Sequence, residues 1–247
     1  MNTQVFPSII MRIKEFGESD LLVTFFTCDK GRLKGVAKGA LRSRRRFVNC
    51  LDIFSLVNLE IGLKRNGDLY FLHSGKLINA HPGLRSDYIF LSRASYMIEL
   101  TESLFPWEVK DPGMFKLLKE SFHFMDEGKN LDLISIFFEA KALALGGYGI
   151  NFEKCCICGR KYTGQGTAVF KREKGGIACL KCHKETAISP GIQPEAVKLL
   201  KLIQSSPLSM LTELAYRDKS IREIKSILKL HSEFRLEKRL KTSKYVE

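Results

Sequence analysis

The sequence has little of what marks a membrane or secreted protein. No run of about 18 or more apolar residues occurs, the length that indicates a bilayer-spanning helix. The opening residues MNTQVFPSII have neither the charged start nor the small-residue cleavage site of a secretory signal. These absences predict a soluble protein of the cytoplasm with no membrane partner. In that reducing compartment, the seven cysteines are expected as thiols or metal ligands rather than as disulfides.

Sequence motifs of common enzymes are missing as well. The chain has no Walker-type GxxxxGK[ST] segment, no HExxH and no GxSxG. Its five histidines are scattered, with no carboxylate partners at motif spacing. We therefore expect a protein that is not an enzyme and has no small-molecule substrate. The alternative is a nucleic-acid enzyme that assembles its site from scattered carboxylates.

Acidic residues are scarce relative to basic ones. The 247 residues include 40 Lys and Arg but only 27 Asp and Glu, so the formal net charge is +13. Such a surplus predicts a polyanionic partner, and charge for solubility alone is the alternative. Nucleic acid is favoured over a membrane surface because the sequence has no strongly apolar, basic amphipathic segment. With only seven prolines and 45% hydrophobic residues, the chain can form a hydrophobic core.

Residues 1–80 have the pattern of a small β-barrel. Five short β-type runs are separated by Gly and polar turns: QVFPSIIMRI, DLLVTFFTC, GRLKGVAKG, DIFSLVNLEIG and DLYFLHSGKLI. A hairpin turn is predicted at Asn66-Gly67-Asp68. Five strands in this length favour an OB-fold, which commonly binds oligonucleotides, although an SH3-like barrel fits nearly as well.

Residues 81–247 have a helical period instead. Asp111-Pro112 predicts a helix start, and the apolar run at 131–145 predicts a buried helix that stops at Gly146-Gly147. Further helices are expected at 194–205 and 220–241. The fold class is therefore α+β: a five-stranded OB-fold barrel, then a helical domain into which a four-cysteine segment, residues 151–189, is inserted.

Two CxxC pairs in that segment predict a zinc site. The pairs are separated by 20 residues, a spacing at which two such turns fold around one ion. The expected ligands of one structural Zn²⁺ per chain are Cys155, Cys158, Cys179 and Cys182. Four thiolates leave no position for water or substrate, so the ion is expected to stabilise the fold. Cys156 and His183 lie beside these ligands and are the alternative donors, whereas Cys28 and Cys50 are expected in the core.

The densest charge lies between Lys30 and Arg46, where eight basic residues occur with no acidic one. Arginines in such a segment can pair with phosphate oxygens and stack on bases. The predicted nucleic-acid-binding residues are Arg32, Lys34, Lys38, Arg42, Arg44, Arg45 and Arg46. Aromatic residues nearby could stack on bases or could equally belong to the core, namely Phe25, Phe26, Phe47, Tyr70 and Phe71.

Three segments resemble the RecO family of recombination mediators. They are SDLLVTFFTCDKGRLKGVAKGALRSRRRF, the pair KCCICG and GGIACLKCH, and the ending KRLKTSKYV. The resemblance implies an OB-fold, a helical domain and a four-cysteine zinc segment. It also implies a nucleoid-associated protein of DNA repair and recombination that binds single- and double-stranded DNA and anneals complementary strands. The implied partners are RecR and the C-terminal tail of the single-strand-binding protein SSB, with which the protein helps to load recombinase on SSB-coated DNA.

On the family pattern, the basic stretch after the third strand contacts DNA, which implies this role for Lys38, Arg42, Arg44, Arg45 and Arg46. The chain departs from that pattern because Leu41 follows Gly39-Ala40 and the arginines come a few positions later. A zinc-ribbon transcription regulator that reads a duplex sequence is the alternative function.

Overall fold

The five β-type runs at the start of the chain form five strands that close into a barrel. The computed structural model describes residues 3–62, 69–211 and 216–245, so the predicted turn Asn66-Gly67-Asp68 lies outside the described residues. The strands are β1 (Thr3–Phe16), β2 (Asp20–Thr27), β3 (Gly31–Ala37), β4 (Leu56–Gly62) and β5 (Tyr70–Asn79). They pair in the order β1-β2-β3-β5-β4, and β4 returns to β1. A closed five-stranded barrel of this kind confirms the predicted OB-fold.

Strand β1 closes the barrel because it is long enough to pair on both sides. Residues 3–9 are antiparallel to β4, and residues 8–16 are antiparallel to β2. The register of the β1–β2 pair shifts between Ile10 and Arg12, and such a bulge bends a strand and increases its twist. Strands β3 and β5 pair in parallel, which completes the circle.

Apolar side chains fill the inside of the barrel. Ile10, Val23, Phe25, Leu33 and Leu59 are each at most 1% exposed. Burial of one such side chain contributes about 1.5–3 kcal/mol to folding. Because successive side chains of a strand point to opposite faces, the residues between these core positions lie on the outer face of the barrel, where several of them are also buried.

Three helices follow the barrel: α1 (Gly83–Ser86), α2 (Tyr88–Leu104) and α3 (Pro112–Asp126). The predicted start of α3 is confirmed, since the Asp111 side chain accepts a 2.7 Å hydrogen bond from the backbone N–H of Met114. Phe122 of α3 packs edge-on against Phe54, with ring centroids 5.4 Å apart. Residues 1–128, which include these helices, form one compact unit. The domain boundary at 80/81 stays a prediction.

The second compact unit, residues 129–247, combines helices with a small sheet. Its helices are α4 (Leu131–Leu143), α5 (Pro194–Ser205), α6 (Leu208–Leu211) and α7 (Asp218–Leu236). Its strands are β6 (Asn151–Cys155), β7 (Ala168–Lys171), β8 (Gly176–Cys179) and β9 (Gly191–Ile192), in the order β6-β8-β7-β9. Helix α4 is buried as expected and leads into a π-turn, Ala144–Tyr148, at the predicted Gly146-Gly147 stop.

The bounds of α7 differ from the predicted ones. Helix α7 starts two residues before the predicted 220 and ends at Leu236 rather than 241, because Glu237 adopts a left-handed conformation with φ 52°. Short 3₁₀ helices lie at Ala40–Arg42 and Ser243–Tyr245. Within the described ranges, no helix is both long and apolar enough to cross a membrane.

A buried histidine lies where the barrel meets α3. The His81 side chain is 1% exposed, and its Nδ1 donates a 3.0 Å hydrogen bond to the carbonyl oxygen of Phe54. Its ring also packs against Phe122. Burial lowers the pKa of His81, since the charged imidazolium is disfavoured away from water. His81 is therefore neutral in the folded protein at physiological pH.

This burial predicts acid-sensitive folding of the first unit. The pKa of His81 is lower in the folded state, so the unfolded chain binds more protons below about pH 6.5, and stability is lost as the pH falls through the folded-state pKa. Each extra proton bound on unfolding costs about 1.4 kcal/mol per pH unit. We expect His81→Asn to weaken this pH dependence, because asparagine does not titrate. Asparagine also tolerates the positive φ of 44° at this position.

The measurement is urea unfolding at about pH 7.5 and about pH 5, followed by the fluorescence of Trp107, the single tryptophan of the chain. His123→Asn is the matched control, because His123 is exposed. An H81N variant with the same loss of stability between the two pH values as the H123N variant would contradict the assignment.

Candidate metal centre and nucleic-acid interface

The four cysteines of the two CxxC pairs come together at one end of the small sheet. Cys155 ends β6 and Cys179 ends β8, and the β7–β8 hairpin brings the second pair back to the first. The four Sγ atoms all lie within 4.8 Å of one another, and those of Cys158 and Cys179 are 3.9 Å apart. In a tetrahedral site with Zn–S bonds of about 2.3 Å, neighbouring sulfurs are about 3.8 Å apart. The donor set and its spacing therefore fit a tetrahedral metal ion.

Backbone geometry positions these thiols. Gly159, with φ 74°, turns the chain back so that its N–H donates a 3.0 Å hydrogen bond to the carbonyl oxygen of Cys155. The second pair makes a similar turn, in which the N–H of Cys182 donates to the carbonyl oxygen of Cys179. The N–H of Cys179 also donates to Sγ of Cys155 at 3.3 Å.

Hydrogen bonds within the cluster favour a thiolate at Cys155 and disfavour one at Cys182. Burial opposes the ionisation of Cys155, but hydrogen bonds from the backbone of Cys158 and Cys179 outweigh it and lower the pKa of Cys155 to about 6. Hydrogen bonds with the sulfurs of Cys179 and Cys158 raise the pKa of Cys182 to about 12. Four adjacent thiolates require a cation to offset their mutual repulsion, and a bound metal ion supplies that charge.

The alternative donors lie apart from the cluster. Among the described residues, the group of possible ligands contains the four cysteines and neither Cys156 nor His183. Nε2 of His183 lies 3.2 Å from Nζ of Lys171 instead. Cys50 is fully buried in the barrel core, as predicted, and burial raises its pKa to about 11, whereas Cys28 is half-buried.

The basic loop, residues 38–46, follows β3 and is held firmly at its start. The Asp20 side chain accepts a 2.8 Å hydrogen bond from the N–H of Gly39. The N–H of Leu41 donates to the carbonyl oxygen of Ser19 at 3.0 Å. These contacts join the loop to the start of β2 and to the turn before it, so the loop starts from a fixed point on the barrel.

The end of the basic loop is fixed as well. The N–H of Gly75 in β5 donates a 2.8 Å hydrogen bond to the carbonyl oxygen of Arg46, and Nη2 of Arg46 donates to the carbonyl oxygen of Lys38 at 2.6 Å. Phe47, the next residue, is buried in the barrel core. The loop is thus attached to the barrel at both ends.

Between these anchors, the cationic side chains face solvent. Arg42, Arg44 and Arg45 are exposed, and no carboxylate among the described residues pairs with them. The ammonium group of Lys38 lies 5.9 Å from the ring centroid of Phe71, whose residue is 42% exposed. The loop therefore presents unpaired positive charge beside an exposed aromatic ring.

The other candidate aromatic residues are placed differently. Phe25, Phe26 and Phe47 are at most 6% exposed and belong to the core, while Tyr70 is half-buried. Spacing along the sequence could not separate Phe71 from these residues, because the alternation of a strand does not reveal which of its faces is inside.

The Arg32 side chain is buried and packs against other parts of the first unit. It is 7% exposed, its Nη1 donates a 2.8 Å hydrogen bond to the carbonyl oxygen of Glu102, and its guanidinium lies 4.0 Å from the ring centroid of Trp107. Burial lowers its pKa. Lys34, two residues further along β3, is half-buried. The DNA-binding role of Arg32 stays a prediction that its burial does not support.

Sequence reasoning missed Trp107. Arg32 and Lys34 are two residues apart on β3 and so share one face of the strand, but the segment around Trp107 covers part of that face. The N–H of Glu108 donates a 3.0 Å hydrogen bond to the carbonyl oxygen of Arg32. The available signal was the position of the single tryptophan, directly after Pro106 at the end of a helical pattern.

The fold and the site define a β-barrel protein that has an exposed cationic loop and a possible four-cysteine metal site. Family models narrow the class: residues 1–81 match "Recombination protein O N terminal" and residues 85–244 match "Recombination protein O C terminal". The chain belongs to the RecO family, whose curated members are named DNA repair proteins.

Individual relatives agree with this assignment. The chain is similar to the DNA repair protein RecO of Syntrophus aciditrophicus, with 31% identity over 96% of this chain and 93% of the relative. The corresponding protein of Geobacter metallireducens is 32% identical over 78% of this chain and 77% of the relative. That of Caldicellulosiruptor bescii is 28% identical over 94% of this chain and 93% of the relative.

The placement of Arg32 predicts a structural effect of its removal. We expect Arg32→Ala to destabilise the first unit by about 2 kcal/mol, because it removes a buried charge-assisted hydrogen bond and the stacking on Trp107. Arg44→Ala, in the exposed loop, is the control and should change stability by less than about 0.5 kcal/mol. Urea unfolding followed by Trp107 fluorescence measures both. Unchanged stability of R32A together with weakened DNA binding would instead make Arg32 a DNA contact.

Proposed function

We propose that this protein is a non-enzymatic mediator of DNA repair that binds single- and double-stranded DNA through the basic loop and anneals complementary strands. The observation that carries the proposal is a group of three exposed arginines on a loop anchored at both ends, Arg42, Arg44 and Arg45, which have no carboxylate partner in the part of the chain that the structure describes. The curated names of its relatives support a repair role, and for that role we propose a location at the nucleoid in the cytoplasm.

The physical basis of annealing is charge neutralisation. Each guanidinium can pair with phosphate oxygens through two parallel N–H donors, and each neutralised phosphate releases counterions. Positive charge between two strands lowers their repulsion, so complementary bases can approach and pair without any covalent step. Phe71 offers an exposed ring on which an unpaired base can stack, beside Lys38.

The mediator is proposed to act with two protein partners. The partners implied by the family resemblance are RecR and the C-terminal tail of SSB. With them, the protein is proposed to help load recombinase on SSB-coated DNA. Membership of the RecO family supports them.

We propose that the four-cysteine cluster holds one Zn²⁺ ion through Cys155, Cys158, Cys179 and Cys182. Four sulfur donors at tetrahedral spacing suit zinc or an iron–sulfur centre, and the two CxxC turns are typical of structural zinc. When bound, the ion supplies positive charge and four metal–sulfur bonds. The cysteines themselves fix the ends of β6 and β8, so their role is to stabilise a small sheet.

Removal of loop charge tests the proposed DNA interface. We expect Arg44→Gln/Arg45→Gln to weaken binding to single-stranded DNA and to reduce the slope of log affinity against log salt by about 1.4, because two phosphate contacts are lost. Lys116→Gln/Lys119→Gln removes the same charge from exposed positions of α3 and is the matched control. Fluorescence anisotropy over a series of salt concentrations gives both slopes.

The same two variants test annealing, measured on complementary SSB-coated strands with and without RecR. R44Q/R45Q should anneal more slowly than K116Q/K119Q. Equal salt slopes and equal annealing rates for the two variants would overturn the role of the loop, and cleavage of DNA with added Mg²⁺ would replace it with an enzymatic function.

Metal analysis tests the zinc site. We expect about one zinc ion per chain in the unmodified protein and in Cys156→Ser, and well under half an ion in Cys158→Ser and Cys179→Ser. The last two variants should also unfold at lower temperature, because the sheet loses its metal–sulfur bonds. Full zinc occupancy in both ligand variants, or iron in place of zinc, would defeat the assignment.

A further inference from the structure

A second group of aromatic and basic side chains lies in the second unit, away from the cysteines. An open cavity of about 520 Å³, here called the aromatic pocket, is lined by Tyr148, Arg172, Glu233, Phe234, Arg235 and Glu237. Its volume is in the range of about 300–1,000 Å³ that small-molecule sites occupy.

Two guanidinium groups flank one ring in the aromatic pocket. The Cζ atoms of Arg172 and Arg235 lie 5.4 and 5.7 Å from the ring centroid of Phe234. Phe234 is 37% exposed and Tyr148 is 38% exposed, so both rings keep free surface beside the positive charges. Cation–π attraction holds the arginines near the ring. The pocket thus offers aromatic faces and phosphate-binding groups at one place.

Contacts within the second unit fix the walls of the aromatic pocket. Nε2 of the buried His231 donates a 2.6 Å hydrogen bond to the carbonyl oxygen of Tyr148, which joins α7 to the π-turn. The ring of Phe170 on β7 packs edge-on against the same histidine, with centroids 5.7 Å apart. The walls are therefore formed by elements held to one another through His231.

The β7–β8 hairpin contributes the rest of the wall. Arg172 lies on its turn, and Gly175 on the same turn has φ 57°. A Cβ atom at Gly175 would overlap Nη2 of Arg235, so the glycine allows this guanidinium to approach the hairpin. The other end of the hairpin leads to Cys179 in the cysteine cluster. The four-cysteine segment thus places one of the two arginines.

We propose that the aromatic pocket binds an unpaired nucleotide of single-stranded DNA, with the base stacked on Phe234 or Tyr148 and the phosphate held by Arg172 and Arg235. This proposal rests on the proposed function, in that the chain binds single-stranded DNA, but it does not depend on the basic loop. Base–aromatic stacking beside arginine is the usual chemistry of single-strand recognition.

The charges around the aromatic pocket favour a nucleotide over an acidic peptide. Glu233 and Glu237 line it together with the two arginines, and they would repel a peptide that carries several carboxylates. A nucleotide brings only one negative charge, and an N–H group of its base, such as the imide N–H of thymine, can donate a hydrogen bond to a glutamate. Nε of Arg172 donates a 3.3 Å hydrogen bond to Glu173, and the proposal assigns its Nη groups to the phosphate.

The test compares two substitutions at Phe234 in the full-length protein. Phe234→Leu keeps an apolar side chain but removes the ring, and Phe234→Tyr keeps the ring. We expect F234L to weaken binding of a labelled oligo-dT by about 5- to 100-fold and duplex binding much less, because paired bases are not free to stack. F234Y should bind oligo-dT like the unmodified protein. Arg172→Gln, on the hairpin turn, should weaken oligo-dT binding as well.

Several outcomes separate the possible failures. Equal metal content and equal thermal unfolding of F234L and F234Y show that a loss of binding is not a loss of fold. If F234L does not fold, the oligo-dT affinity of R172Q tests the pocket instead. Oligo-dT binding by F234L and R172Q that equals that of the unmodified protein would overturn the pocket alone. No oligo-dT binding by the unmodified protein would overturn the proposed function itself. If F234L and R172Q bind an acidic peptide more weakly than the unmodified protein does but bind oligo-dT equally well, the pocket would be assigned to a peptide and the nucleotide rejected.

Discussion

Closure of the barrel by β1 is the constraint on which the first unit depends. Because this strand pairs with both β2 and β4, the sheet forms a complete circle, and the parallel pairing of β3 with β5 must follow. Phe71 on β5 is thereby placed opposite Val36 at the end of β3, where the basic loop begins. Backbone pairing therefore sets the position of the charged loop beside an exposed ring before any loop side chain makes a contact.

In the second unit, the cysteine cluster holds the strands of the sheet together, as closure of the barrel does in the first unit. A four-stranded sheet with strands of two to five residues buries too little apolar surface to be stable alone. The cysteine cluster brings the ends of β6 and β8 together, and Phe170 and His231 join the sheet to α7. In the proposed zinc site the four thiolates fill the tetrahedron, so the influence of the site on function would pass through the hairpin that it holds.

Local patterns predicted the elements well, because the signals are local. The five strands, the Asp111 cap, the α5 range and the cysteine cluster all agree with the structure. The burial of Arg32 could not be predicted, since its partner Trp107 is far along the chain. For the same reason, no periodicity joins Arg172 to Phe234. The contacts that decide which charges are free are made between distant segments.

The two-ended attachment of the basic loop has an evolutionary consequence. Asp20, Gly75 and the buried Phe47 hold the loop through its ends, and the contacts at Asp20 and Gly75 involve the loop's backbone. The identity of the residues between the ends is therefore constrained by charge and little by shape. We therefore expect the arginines to differ by a position or two among homologues while the surface keeps its potential. Conservation of single positions would underestimate how strongly such a surface is selected.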